Sequence, residues 1–237
     1  LVDPSAAFTV AEFQAAYRAL TVDRAILVGG TGLYHRAVID DLDIPGEWPL
    51  LRAALEAEVE AAGTPALYAR LAAVDPAAAA KIEPGNARRI VRALEVIEGS
   101  GRLFSSFGPG LDAYPDSGVP QIGLRWDRAA LAERIERRVH AMIAAGLVGE
   151  VEALLARPGG LSRTAAQALG YKELIDHLRG RTTLDAAVEQ IIVRTRQFAV
   201  RQLRWFQRDP RITWIDVEHD PVAEAAPVVL AALEAQS

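Results

Sequence analysis

Two kinds of residue in this chain are spaced to do chemistry on phosphate. The first is Gly29-Gly30-Thr31-Gly32, directly after the apolar run Ala25-Ile26-Leu27-Val28. Such a run reads as a strand buried on both faces of a parallel sheet. Its carboxyl end is where open α/β sheets bind ligands and where phosphate oxygens find free N–H donors, here beside the Thr31 hydroxyl. Gly29 and Gly30 are expected to turn the backbone at positive φ. Taken bare, the same residues also describe a plain strand-to-helix turn, the commoner use of so short a motif. The second kind is arginine, clustered at 88–92, 134–138 and 194–208, while the only lysines are Lys81 and Lys172. Arginine bias in an alanine-rich chain gives that count, and so does a need for planar donors that fork onto phosphate.

On a helical wheel over 184–208, Val188, Ile192, Thr195, Ala199, Leu203 and Phe206 share one side. Arg194, Gln197, Arg201, Arg204 and Arg208 fall nearly opposite, and no acid follows Glu189 on that helix. A solvated face and an anionic partner are both consistent with such a stripe. Arg134 and Arg138 are four apart and share a face, with Glu133 and Glu136 near enough for intrahelical ion pairs. Arg88, Arg89 and Arg92 occupy the first turns of a helix, where the dipole favours acids, so their placement suggests an external ligand. The scattered acids Glu12, Asp40, Asp41, Asp43, Asp75 and Asp112, and the four histidines, show no metal-ligand spacing.

The elements that must position these residues are readable in outline. Thr9 caps a helix predicted over 10–20, and the strand and turn at 25–32 lead into a helix ending near 38. Residues 50–101 form a purely helical block, with Pro76 at a helix start, Asn86 as a cap and Gly99 and Gly101 as a stop. After a Gly-, Pro- and Ser-rich return, a second strand is predicted over 119–126. Helices follow at 127–145, 150–156, 171–178 and 183–208, then a β-rich run at 211–216 and a helix at 223–235. The pattern is an α/β parallel-sheet core interrupted by a helical insertion: core 1–44, insertion 45–111, core 112–237.

At 237 residues the chain can bury a full core. It has no cysteine, so neither a disulfide framework nor a thiolate metal site is available. No run approaches the ~18 apolar residues of a membrane span. A cytoplasmic protein without a membrane partner is expected. The net charge of −5 argues against general nucleic-acid affinity, but the clustering of arginine matters more than the sum.

Segments along the whole chain, in order, resemble the bacterial tRNA dimethylallyltransferase (tRNA isopentenyl transferase) family. They include Asp3-Pro4-Ser5, Phe8 through Phe13, Leu27 through Tyr34, Val74-Asp75-Pro76, and Asn86 through Val96. Further on are Met142 through Leu147 with Glu150-Val151, Leu169 through Leu174, and Thr195 through Phe206. The resemblance implies a P-loop NTPase-like core whose helical insertion grips the tRNA anticodon stem-loop. It also implies transfer of a dimethylallyl group from dimethylallyl diphosphate to N6 of the adenosine just 3′ of the anticodon, with Mg²⁺ assisting; a monomer is expected. A stacked base must be extruded to be alkylated.

By position, the resemblance places Thr31 in the reaction channel and Arg134, Arg138 and Arg201 toward the diphosphate. It assigns tRNA contact to Arg52, to Arg88, Arg89, Ile90, Val91 and Arg92, and to Gln167, Ala168, Leu169, Gly170, Tyr171 and Lys172. Two departures stand out. Family members begin with a P-loop ending in Gly-Lys-Ser/Thr and an Asp-Ser-x-Gln segment that carries the general base. Neither occurs in this sequence, and roughly the first quarter of a usual member is expected to be absent. Val200 stands where many members carry lysine. Two rival readings remain at this point: a non-catalytic tRNA-binding remnant, and a prenyltransferase acting on free adenine nucleotides, against which the helical block argues.

Overall fold

The computed structural model describes residues 2–22, 24–108, 110–111 and 113–235. Asp112, among the acids considered above, lies outside them. The chain divides into two units. One comprises Leu1–Phe13, Arg24–Gly32 and Asp116–Ser237, and the other Gln14–Asp23 and Leu33–Pro115. Among the described residues no single helix is long and apolar enough to cross a membrane.

The first unit holds a small parallel sheet, β1 (Gln121–Trp126) and β2 (Ile212–Val217), in register from Gln121 opposite Ile212 to Trp126 opposite Val217. Glycine is needed at 123, because a Cβ there would lie 2.8 Å from the Trp214 ring. Arg125 and Asp216, register partners, form a forked ion pair across the two strands. The same unit contains α7 (Arg128–Ala144), α8 (Leu147–Ala156), α9 (Tyr171–Leu178), α10 (Leu184–Phe206) and α11 (Pro221–Glu234), of which α11 packs on both strands. Asp127 accepts from the Ala129 and Ala130 amides to start α7, and Thr183 accepts from Ala186 to start α10. The core between these helices is Ile135 and Val139 of α7, Val151 of α8, Leu174 of α9, and Val188, Ile191 and Ile192 of α10.

The second unit is helical: α3 (Pro49–Ala62), α4 (Thr64–Val74), α5 (Pro76–Ala79) and α6 (Ala87–Ser100), with α1 (Val10–Arg18) and α2 (Gly32–Ile39) each crossing the division between units. Its core gathers Leu55, Leu67, Leu71, Ile90 and Leu94. Asp75 starts α5 by accepting from Ala78 and also accepts from the Ser105 amide, so a buried carboxylate pins the chain after α6 to the helix start. Asn86 caps α6, and Gly101 ends it in the left-handed region at φ 71°.

The strand expected over 25–28 does not form. These residues are in neither helix nor strand, and Ile26 and Val28 are 63% and 87% exposed. A ladder needs a neighbour to accept and donate its hydrogen bonds, and among the described residues none pairs with this run.

Candidate functional site

The Gly-Gly-Thr-Gly turn is organised by α10. Gln202 donates from Nε2 to the Gly30 carbonyl at 2.8 Å, and the Trp205 indole packs against Gly32. A Cβ would lie 1.8 Å from Gln202 Nε2 if added at Gly30, and 1.8 Å from Trp205 Nε1 if added at Gly32. Neither Gly29 nor Gly30 has positive φ, contrary to expectation. Gly30 and Gly32 are small because another helix comes close, not because the backbone turns left-handed. Thr31, between them, is exposed, and among the described residues its hydroxyl makes no hydrogen bond. Arg201 adjoins Gln202 on α10 and lies one helical turn before Trp205, so it shares the side of α10 on which this turn is anchored.

The arginine stripe of α10 divides in two. Arg194 of the stripe is paired with Glu173 of α9, and Arg196, on the other side of the helix, with Glu136 of α7 at 2.7 Å. Arg201, Arg204 and Arg208 are exposed and have no acid partner among the described residues. The acids that the helix lacks in its own sequence therefore come from its neighbours, but only along its first half. Glu173 is 5% exposed and also accepts from the Gly170 amide at 3.0 Å, where φ is 92°. It thus ties the residues before α9 to α10. Sequence reasoning missed it, although an acid at the third position of a helix is the usual reciprocal cap.

On α7, the intrahelical pairs considered for Arg134 and Arg138 are not made. Glu133 takes Arg137 at 3.6 Å, and Glu136 takes Arg196. Arg134 lies with its guanidinium 4.0 Å from the Trp126 ring centroid, and Arg138 is exposed without an acid among the described residues. Trp126 ends β1 at the carboxyl edge of the sheet, beside a cleft of about 530 Å³ whose wall includes Asp127, Asp216 and Glu218. The same wall carries Arg125, which is bonded to Asp216, and Arg128, so cations and acids nearly balance there. α7 and α10 pack directly on one another.

In the helical unit the expected RNA residues separate by burial. Arg88 and Arg89 are exposed on the first turn of α6 and have no acid partner among the described residues. Ile90 and Val91 are 0% and 4% exposed, in the core, because the apolar face of α6 must pack, so their side chains serve the helix rather than a surface. Arg52 and Arg92 also turn inward, both onto Glu95, at 2.9 and 3.1 Å. Arg92 donates further to the Gly46 and Pro45 carbonyls. Glu95 is 0% exposed and accepts from the Trp48 amide at 2.7 Å. Burial pushes its carboxyl up, but the Trp48 amide and the two guanidiniums outweigh that and hold it below the usual glutamate range.

Of the remaining expected RNA residues, Gln167, Ala168 and Leu169 are exposed, Gly170 is buried, and Tyr171 and Lys172 are half-buried. The Tyr171 hydroxyl donates to Glu150, and this bond, with burial, pushes the phenol up to about 12. Among the described residues no three acids or histidines cluster as a metal site.

Comparison with known proteins sets this arrangement in context. Residues 1–209 match the model of the family described as IPP transferase. A tRNA dimethylallyltransferase of Pseudarthrobacter chlorophenolicus is 48% identical over 233 residues, covering 95% of this chain and 77% of that protein. The crystal structure of a full-length tRNA isopentenylpyrophosphate transferase from Bacillus halodurans superposes with a TM-score of 0.62 at 36% identity, over 98% of this chain and 76% of that one. A eukaryotic dimethylallyltransferase, captured acting on tRNA, shares the fold with a TM-score of 0.71 at 21% identity, over 98% of this chain and 62% of that one.

Proposed function

The chain belongs to the IPP transferase family, that of the tRNA dimethylallyltransferases, and from that premise we propose that it prenylates the adenosine 3′-adjacent to the anticodon of tRNA. The donor is dimethylallyl diphosphate. A bond forms between adenine N6 and the allylic carbon, the bond from that carbon to the diphosphate oxygen breaks, and N6 releases a proton. The observation that carries this reading is the division of the arginines. In a chain of net charge −5, Arg88, Arg89, Arg134, Arg138 and Arg201 have no acid partner among the described residues, while Arg52, Arg92, Arg194 and Arg196 are matched internally.

In this reading Arg134, Arg138 and Arg201 take up the charge that grows on the departing diphosphate, the main electrostatic demand of the step. Thr31 offers its free hydroxyl in the channel beside the target adenine. Arg88 and Arg89 hold anticodon-loop phosphates, and Gln167, Ala168, Leu169 and Lys172 add a second contact with the tRNA. Mg²⁺ would assist by neutralising charge on the diphosphate, and no step here passes through the ion. We place the protein in the cytoplasm with its substrate.

The test is transfer of labelled dimethylallyl from its diphosphate to tRNA and, separately, to AMP. Label on tRNA and none on AMP is expected. Label on AMP alone would overturn the reading, and tRNA binding without transfer would reduce it to a binding protein.

A further inference from the structure

Lys172 opens onto a groove of about 420 Å³ between α8, α9 and the turns that join them. Leu155, Leu161 and Ile175 form its floor, and Lys172, Arg179 and Arg181 stand along it. The volume is in the range that holds a nucleotide-sized ligand. Asp176, also in the groove, pairs with Arg181 at 2.9 Å. Lys172 and Arg179 have no acid partner among the described residues. Three cations against one acid give this groove a net positive charge in a chain whose total is −5. Like charges held together without acids repel, and an anion relieves that repulsion.

The floor narrows the choice of anion. It is aliphatic and contains no aromatic ring, so it offers no stacking platform for bases. Cations above an aliphatic floor suit a sugar–phosphate backbone, contacted without regard to sequence. The groove is also continuous with the 167–172 segment, since Gln167 and Lys172 both line it. We infer that this groove carries the phosphate backbone of the bound tRNA onward from the 167–172 contact, with Arg179 as its principal cation and Asp176 as a brake on Arg181. The inference rests on the tRNA reading above and extends it to residues outside the family motif.

The experiment is the salt dependence of tRNA binding by the purified protein, read by anisotropy of labelled tRNA from about 50 to about 300 mM salt. Arg179→Gln is expected to weaken binding several-fold at the low end and to flatten the log–log slope by about one. Asp176→Asn is expected to tighten binding and steepen the slope, a gain that misfolding does not produce. Arg18→Gln, which removes a charge in the helical unit, is expected to leave the slope unchanged. If the parent protein binds tRNA while Arg179→Gln and Asp176→Asn bind it identically, the groove assignment is overturned and the tRNA reading stands. If the parent binds no tRNA, both fall. Loss of poly-glutamate binding in Arg179→Gln, with tRNA binding intact, would make the groove a site for acidic peptide and overturn the assignment.

Discussion

Gln202 of α10 donates a 2.8 Å hydrogen bond to the carbonyl of Gly30, and so fixes the turn that carries Thr31 to the helix that carries Arg201. The link holds two candidate groups of the transfer step on one support. It also makes the two neighbouring glycines unequal.

Gly30→Ala meets only the flexible end of Gln202, which can swing aside and lose its bond, at a cost of about 1 kcal/mol. Gly32→Ala meets the rigid indole of Trp205 and is expected to cost more, roughly 1–3 kcal/mol. Urea unfolding of the two variants checks the order. Equal losses would mean that Trp205 yields as easily as Gln202.

Thr31→Ala removes one exposed hydroxyl and no internal contact. Loss of a single hydrogen bond to the reacting groups, on the order of 1.4 kcal/mol, slows transfer about tenfold. Affinity for tRNA is expected to stay near that of the parent. Single-turnover transfer rates measured beside binding constants test this, and an unchanged rate removes Thr31 from the mechanism.

Arginines that look alike in sequence should behave differently. Arg88→Ala with Arg89→Ala is expected to weaken tRNA binding and lower its salt slope by about 1–2, with the melting temperature nearly kept. Arg92→Ala instead breaks a pair with the buried Glu95 and two carbonyl contacts, and should destabilise by about 1–3 kcal/mol. Thermal melts and binding curves on the same preparations separate the two effects.

The pH dependence of stability follows from Glu95 and Asp75. Both carboxyls are buried and held below their ordinary values, net of burial, by amide donors and, for Glu95, by two guanidiniums. The unfolded chain therefore binds protons first as pH falls. The stabilisation is fully present above the unfolded values of 4.5 and 3.8, and is lost as pH drops through the lower folded values. Glu95→Gln is expected to lower stability at neutral pH and to flatten the acid limb of a stability–pH curve. An acid limb as steep as the parent's would assign the effect elsewhere.

Glu173→Gln keeps shape and the amide contact but removes the charge that meets Arg194. With the 167–170 segment less firmly tied to α10, KM for tRNA is expected to rise several-fold while kcat moves little. Glu173→Asp, which keeps the charge, should recover part of the loss. Equal falls in kcat and kcat/KM would point to the reaction step instead.

What the sequence revealed was mostly local. Thr9, Asn86, Asp127 and Thr183 each cap a helix within three residues of themselves and were legible as caps, whereas at Asp75 only the helix start at Pro76 was read. The exposed arginines were legible as candidates because their types and spacing are local as well. Their separation into matched and bare groups was not, since Glu95 lies 43 residues from Arg52 and Glu173 lies 21 from Arg194. The apolar run at 25–28 gave a propensity without naming a ladder partner, and the structure supplies none among the described residues. Gly30 and Gly32 were read as turn residues, whereas the reason for their size stands more than 170 residues away on α10.

The concentration of bare cations on a chain of net charge −5 has a kinetic consequence. Beyond a Debye length of about 10 Å a polyanion meets the summed repulsion of the protein, and only a close approach to the arginine-bearing faces is attractive. Collisions in the wrong orientation are shed before they can persist. The protein gives up some encounter rate and in exchange is less readily held by RNA met in the wrong orientation.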